Sequence, residues 1–125
     1  MISFFINFYR FCKLIIIGIK QDKEFRYLSF FLSLLLTSST IFYYRVENWK
    51  LIDSLYFSVM TMATVGYGDL VPTQAISKLF TIIYTFLSIG TFVAFTAKIV
   101  QFTLQKSNKE TPFRKLKTKI KNKNE

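Results

Sequence analysis

Residues 64–69 read TVGYGD: Thr64, Val65, Gly66, Tyr67, Gly68 and Asp69. Two glycines, an aromatic ring and an acid stand between two long apolar runs. The stretch before it, Asp53 to Ala63, reads DSLYFSVMTMA. Asp53 fits a helix N-cap. As a helix this stretch covers about 16 Å, roughly half a hydrocarbon core. After it, Val71 and Pro72 break any helix. A half-length helix, a glycine-containing extended strand and a return to the surface describe a re-entrant loop. Irregular backbone at membrane depth is tolerated only where protein buries it or it lines a water-filled cavity. The segment therefore predicts a cavity, and one small chain does not enclose a cavity alone.

Moving outward, 18 uncharged residues run from Tyr27 to Tyr44 and 19 more from Leu79 to Ala97. A helix needs about 20 mostly apolar residues to cross a bilayer. The outer helix is expected over about 27–44, the pore helix over about 53–63 and the inner helix over about 73–104. The inner helix exceeds the bilayer thickness, so it is expected to tilt. Lys and Arg concentrate before the first span and after the second, with only Arg45, Lys50 and Lys78 between them. By the positive-inside bias both termini are expected in the cytoplasm of a multi-pass protein of the cell membrane.

Two basic segments flank this core. In residues 1–20, Ser3, Asn7, Arg10, Lys13 and Lys20 share one helical side and apolar residues fill the rest. This reads as an amphipathic helix on the inner leaflet, with an uncleaved signal anchor as the other reading. Residues 106–125 are Lys-rich and are expected to be a mobile basic cytoplasmic tail, or one loosely held against anionic lipid.

Hydrophobic residues make up 51% of the 125, with 15 Phe, more apolar surface than so small a soluble core hides. Lys and Arg number 17 against 7 acids. The membrane topology accounts for that charge, so membrane lipid rather than nucleic acid is the expected partner. There is no His and a single Cys, Cys12, so a disulfide within the chain and His-based catalytic units are excluded. Neither a P-loop nor a repeat is present, and no enzyme activity or cofactor beyond a permeant ion is expected.

TVGYGD in this setting resembles the selectivity filter of the potassium channel family. The resemblance covers roughly residues 20–104. Within the family, Lys23-Glu24-Phe25, Thr40 to Tyr43 and Ile52 to Val59 are similar to the small bacterial two-helix channel that conducts both sodium and potassium. That relative has an aspartate where Tyr67 stands here, and Tyr67-Gly68-Asp69 is the potassium-selective version. The resemblance implies an all-α membrane fold: two transmembrane helices, a re-entrant pore helix and an extended filter in a homotetramer. It implies pore-forming transport of K⁺ through residues 21–105. Backbone carbonyls of Thr64, Val65, Gly66 and Tyr67, with the Thr64 hydroxyl, would replace the ion's water in stacked rings, Gly68 completing the strand. Carbonyls that all point one way need an alternating backbone, part of it at φ > 0, which Gly66 and Gly68 adopt freely. Val65 and Tyr67 would pack behind the strand, and Asp69 would add negative charge at the outer mouth.

The chain also departs from the family pattern. Some members carry a glutamate that pairs with the filter aspartate; Met60 stands there. The usual inner-helix hinge glycine falls on Ser88, with Gly90 two residues later. Ser bends a helix by bonding back to a carbonyl, while Gly90 reads equally as a hinge or as a close-packing contact. Ile89, Phe92, Val93, Thr96 and Val100 follow helical spacing toward the pore, Phe92 or Val93 narrowing it, with interhelix packing as the other reading of each. Lys98 reads as snorkelling to headgroups or lining the inner mouth. Two further functions stand beside the K⁺ channel: a less selective Na⁺/K⁺ channel, and a non-conducting subunit that co-assembles with other channel chains.

Overall fold

Asp22 is the one residue that separates the first two helices. Its backbone is extended at φ −120°, and its side chain accepts the Glu24 N–H at 2.9 Å, capping the helix that follows. The computed structural model describes residues 1–123, without the side chains of 109–113. In chain order the helices are α1 (Ile2–Gln21), α2 (Lys23–Val46), α3 (Leu51–Met62) and α4 (Ala75–Lys123). Among the described residues, three segments are long and apolar enough to cross a membrane: Ile2–Gln21, Lys23–Val46 and Ala75–Asn108. The 12 residues of α3, about 18 Å long, are too short for that.

Several boundaries move from the expected ones. Helix α2 starts four residues before Tyr27, because Lys23 to Arg26 follow a capping Asp and favour helix. Helix α3 starts at Leu51 with Lys50 at the cap position. Asp53 is therefore not the cap but an acid in the first turn, where the helix dipole favours it. Helix α4 begins at Ala75 and continues through the basic segment to Lys123, where a mobile tail was expected. Lys, Gln, Glu and Leu are good helix formers, so low hydrophobicity does not end a helix that is already nucleated.

Helices α2, α3 and α4 meet along a seam of small hydroxyl residues. Ser39, Ser54, Ser58, Ser77 and Ser88 are fully buried, and small side chains of this kind let helix backbones approach closely. Ser39 and Ser58 share a hydrogen bond of 2.7 Å between their hydroxyls. The Tyr84 hydroxyl donates to the Ser58 carbonyl at 3.0 Å, tying α4 to α3. The Tyr43 hydroxyl lies 2.6 Å from Thr81 Oγ1, tying α2 to α4. Around this, Phe42 stacks on Phe80 with centroids 3.9 Å apart, and Tyr43 packs against Trp49 and Phe57. Trp49 thus holds the short α2–α3 connection onto the bundle.

A second cluster joins α1 to the far end of α4. Phe25 stacks on Phe95 at 5.0 Å and meets Phe102 edge-on at 5.4 Å. Gly18 faces both rings: a Cβ there would lie 3.1 Å from Phe102 and 3.2 Å from Phe25. Lys98 pairs with Glu24 at 2.6 Å and Asp22 at 3.4 Å. It neither snorkels alone nor stands free at an inner mouth, because two acids from the α1–α2 corner reach it first.

Candidate functional site

The end of α3 shapes the TVGYGD segment. A helix leaves its last carbonyls without partners, and the following residues turn back to satisfy them. Thr64 N–H donates to the Thr61 carbonyl at 3.1 Å, and Val65 N–H to the Met60 carbonyl at 2.9 Å. Gly66 N–H shares that Met60 carbonyl at 3.3 Å. These donors are thereby turned toward α3. Among the described residues, no hydrogen bond ends on a carbonyl from Thr64 to Gly68.

The backbone alternates in handedness. φ is +60° at Thr64, +53° at Gly66 and +75° at Gly68, while Val65 and Tyr67 keep negative values. Alternation of this kind turns successive carbonyls toward a common side. The two glycines enter the left-handed region without steric cost, and a Cβ on either would meet nothing within 4 Å. It is backbone conformation, not space, that requires glycine there. Thr64 is different. A β-branched residue at positive φ is a true outlier, costing about 1–3 kcal/mol. The two helix-end hydrogen bonds that follow it hold it there.

All six residues from Thr64 to Asp69 are exposed in the single chain. Val65 is 47% and Tyr67 71% exposed, so the packing expected behind the strand is not supplied by this chain. Asp69 has a neighbour that sequence reading missed. Its carboxylate lies beside the Tyr56 hydroxyl of α3. No residue spacing in the loop announces this pair.

Glu47 is the other missed residue. Thr73 N–H and Gln74 N–H donate to its Oε1 at 3.0 and 3.1 Å, and the Thr73 hydroxyl to its Oε2 at 2.7 Å. The Gln74 amide reaches back to the Val46 carbonyl. The carboxylate thus caps α4 from the end of α2, where orphan N–H groups and the helix dipole favour an anion. Partial desolvation raises its pKa, but the hydrogen bonds from the Thr73 hydroxyl and the two N–H groups outweigh that and bring it to about 2. The clue was positional: Thr73 and Gln74 open a helix whose own sequence offers no acidic cap.

On α4, the face against α2 and α3 carries Ser77, Tyr84, Ser88 and Thr91. Val93 and Val100 are exposed on the side turned from it, together with Phe86. Thr96 is exposed, while Ile89 and Phe92 are half-buried. The five residues expected to share one face are therefore spread over unequal surroundings. Ser88 bonds back to the Thr85 carbonyl at 3.3 Å and is fully buried. Gly90 is exposed and a Cβ there would touch nothing within 4 Å, so no contact inside the chain demands glycine.

Comparison with known proteins fits this geometry. The family model described as ion channel matches residues 30–105. Two pore potassium channel a of Oryza sativa subsp. japonica is 39% identical over 57 residues, 46% of this chain and 16% of the relative. Potassium channel protein 1 of Methanocaldococcus jannaschii is 33% identical over 72 residues, 58% of this chain and 22% of that one. The match thus spans less than a quarter of either curated relative. A solved calcium-activated cation channel from Tsukamurella paurometabola is 35% identical with a TM-score of 0.62, covering 69% of this chain and 84% of its own. A solved structure described as a calcium activated non-selective cation channel matches equally well.

Proposed function

The chain belongs to the ion-channel family, a family of membrane proteins and not of enzymes, and from that premise we propose that it is the pore-forming subunit of a potassium channel. Four copies surround a central axis. Each crosses the membrane with α2 and α4 and inserts α3 as a re-entrant pore helix. Both termini lie in the cytoplasm, with α1 along the inner leaflet. K⁺ passes down its gradient with no other cofactor.

The observation that carries this reading is the alternating backbone of Thr64–Gly68, with carbonyls that accept no hydrogen bond among the described residues. At membrane depth, unsatisfied carbonyls cost about 1–3 kcal/mol each. Four strands facing one axis offer them a dehydrated cation instead, ring by ring. The C-terminal end of each α3, partly negative, adds to the attraction. Asp69, held beside Tyr56, supplies charge at the outer mouth. The exposed apolar faces of α2 and α4, Phe30, Phe86 and Val93 among them, are divided between lipid, neighbouring copies and the pore wall.

The resemblance to a non-selective cation channel of known structure favours one second reading, a pore that passes Na⁺ as well. The purified chain in liposomes separates the two. Uptake of ⁸⁶Rb⁺ well above that of ²²Na⁺ is expected; equal uptake would replace the selective reading with the non-selective one.

A further inference from the structure

A groove between α1 and α4 has no part in the proposed conduction path. Its volume is about 570 Å³, and Arg10 and Lys13 of α1 and Lys106 of α4 line it together. Asn7 adds an amide; Leu14 and Ile17 add an apolar wall. No acid is among its lining residues. The acids at the α1–α2 corner, Asp22 and Glu24, are engaged by Lys98. Three positive groups thus converge from two helices on one space with no counter-charge from the lining residues. Like charges so placed repel one another, and an anion between them relieves that repulsion.

We infer that this groove binds the phosphate headgroup of an anionic phospholipid. The guanidinium of Arg10 offers paired N–H donors that match two phosphate oxygens, and Lys13 and Lys106 add compact charges. Leu14 and Ile17, beside the cations, suit the first methylenes of an acyl chain. Inorganic phosphate would engage the same cations but leave that apolar wall in water. Both helices contribute, so a bound lipid joins α1 to α4 beyond the Gly18–Phe102 contact. The inference rests on the membrane placement given above and not on potassium selectivity.

The test weighs bound lipid directly and needs no ion flux. The purified full-length chain is equilibrated with mixed micelles of phosphatidylcholine and phosphatidylglycerol, and retained lipid is counted by native mass spectrometry. Wild type is expected to retain phosphatidylglycerol in preference to phosphatidylcholine. R10Q/K13Q/K106Q is expected to lose that preference by tenfold or more, since each basic residue near a membrane surface contributes to anionic-lipid binding. K117Q/K121Q/K123Q, with the same change in charge, is expected to keep it. Equal loss in both variants would overturn the site in favour of diffuse attraction. The charge-keeping variant K13R/K106R is expected to retain the lipid, and failure to do so while circular dichroism stays native would also count against it. Release of phosphatidylglycerol by inorganic phosphate, but not by chloride at matched ionic strength, would overturn the lipid assignment and give the groove to free phosphate.

Discussion

At Ser58 both polar groups are bonded within the chain: the hydroxyl to Ser39 and the Ser54 carbonyl, the carbonyl to Tyr84. From Thr64 to Asp69, less than two turns further on, every residue is exposed, and the carbonyls through Gly68 accept no hydrogen bond among the described residues. The two regions adjoin in sequence and are built oppositely. The Ser58 seam is complete in one chain and fixes where α3 ends. The segment it positions is incomplete in one chain, where, of its backbone groups, only the N–H groups of Thr64, Val65 and Gly66 are bonded. On the proposed reading, stability resides in the first region and function in the second, which would take its partners from neighbouring copies.

The sharpest way to break this comparison is to disturb the second region alone. Gly66→Ala forces an L side chain into φ +53° although no atom obstructs it. The left-handed cost of about 1–2 kcal/mol is expected to lower ⁸⁶Rb⁺ uptake roughly tenfold or more with thermal stability nearly unchanged. A large fall in Tm with intact uptake would reverse the roles of the two regions.

Changes in the scaffold are expected to act the other way, on stability first. Gly18→Leu sets a side chain against the Phe25 and Phe102 rings, with a Cβ already within 3.2 Å of both. It is expected to destabilise by about 1–3 kcal/mol and to separate α1 from α4, read by denaturation and by cross-linking of cysteines placed on the two helices. Tyr84→Phe removes the donor to the Ser58 carbonyl and is expected to cost about 1 kcal/mol, with selectivity unchanged.

The smallest effect belongs to Glu47. Its pKa is lowered from 4.5 to about 2 in the folded chain. A depressed carboxylate stabilises above its unfolded value and loses that contribution as pH falls through the folded one. The difference in Tm between wild type and Glu47→Gln is therefore expected to be constant above about pH 4.5 and to close toward pH 2. A difference that widened on acidification would show that the carboxylate is not the cap of α4.

The sequence made some of this legible and hid the rest for physical reasons. The uncharged runs at 27–44 and 79–97 lie inside α2 and α4, since a bilayer demands length and apolarity that few other structures need. The ends were less visible, because Lys and Glu are compatible with both helix and water; hence α2 reaches back to Lys23 and α4 forward to Lys123. Residues 64–69 pointed to the family through their order and their flanks. The positive φ of Thr64 could not be read, since β-branched residues normally avoid that region and only the helix-end hydrogen bonds impose it. Glu47–Thr73 and Tyr56–Asp69 were hidden for another reason: each joins residues distant in sequence that meet only once the helices pack.

The central claim is that Thr64–Asp69 forms a potassium-selective strand, and Tyr67 tests it most directly. Parallel ⁸⁶Rb⁺ and ²²Na⁺ uptake is measured in liposomes holding the wild-type chain or Tyr67→Asp. Wild type is expected to favour Rb⁺ strongly, and Tyr67→Asp to admit Na⁺ nearly as well, while still conducting. Unchanged selectivity in the variant would contradict the assignment of the strand as the filter.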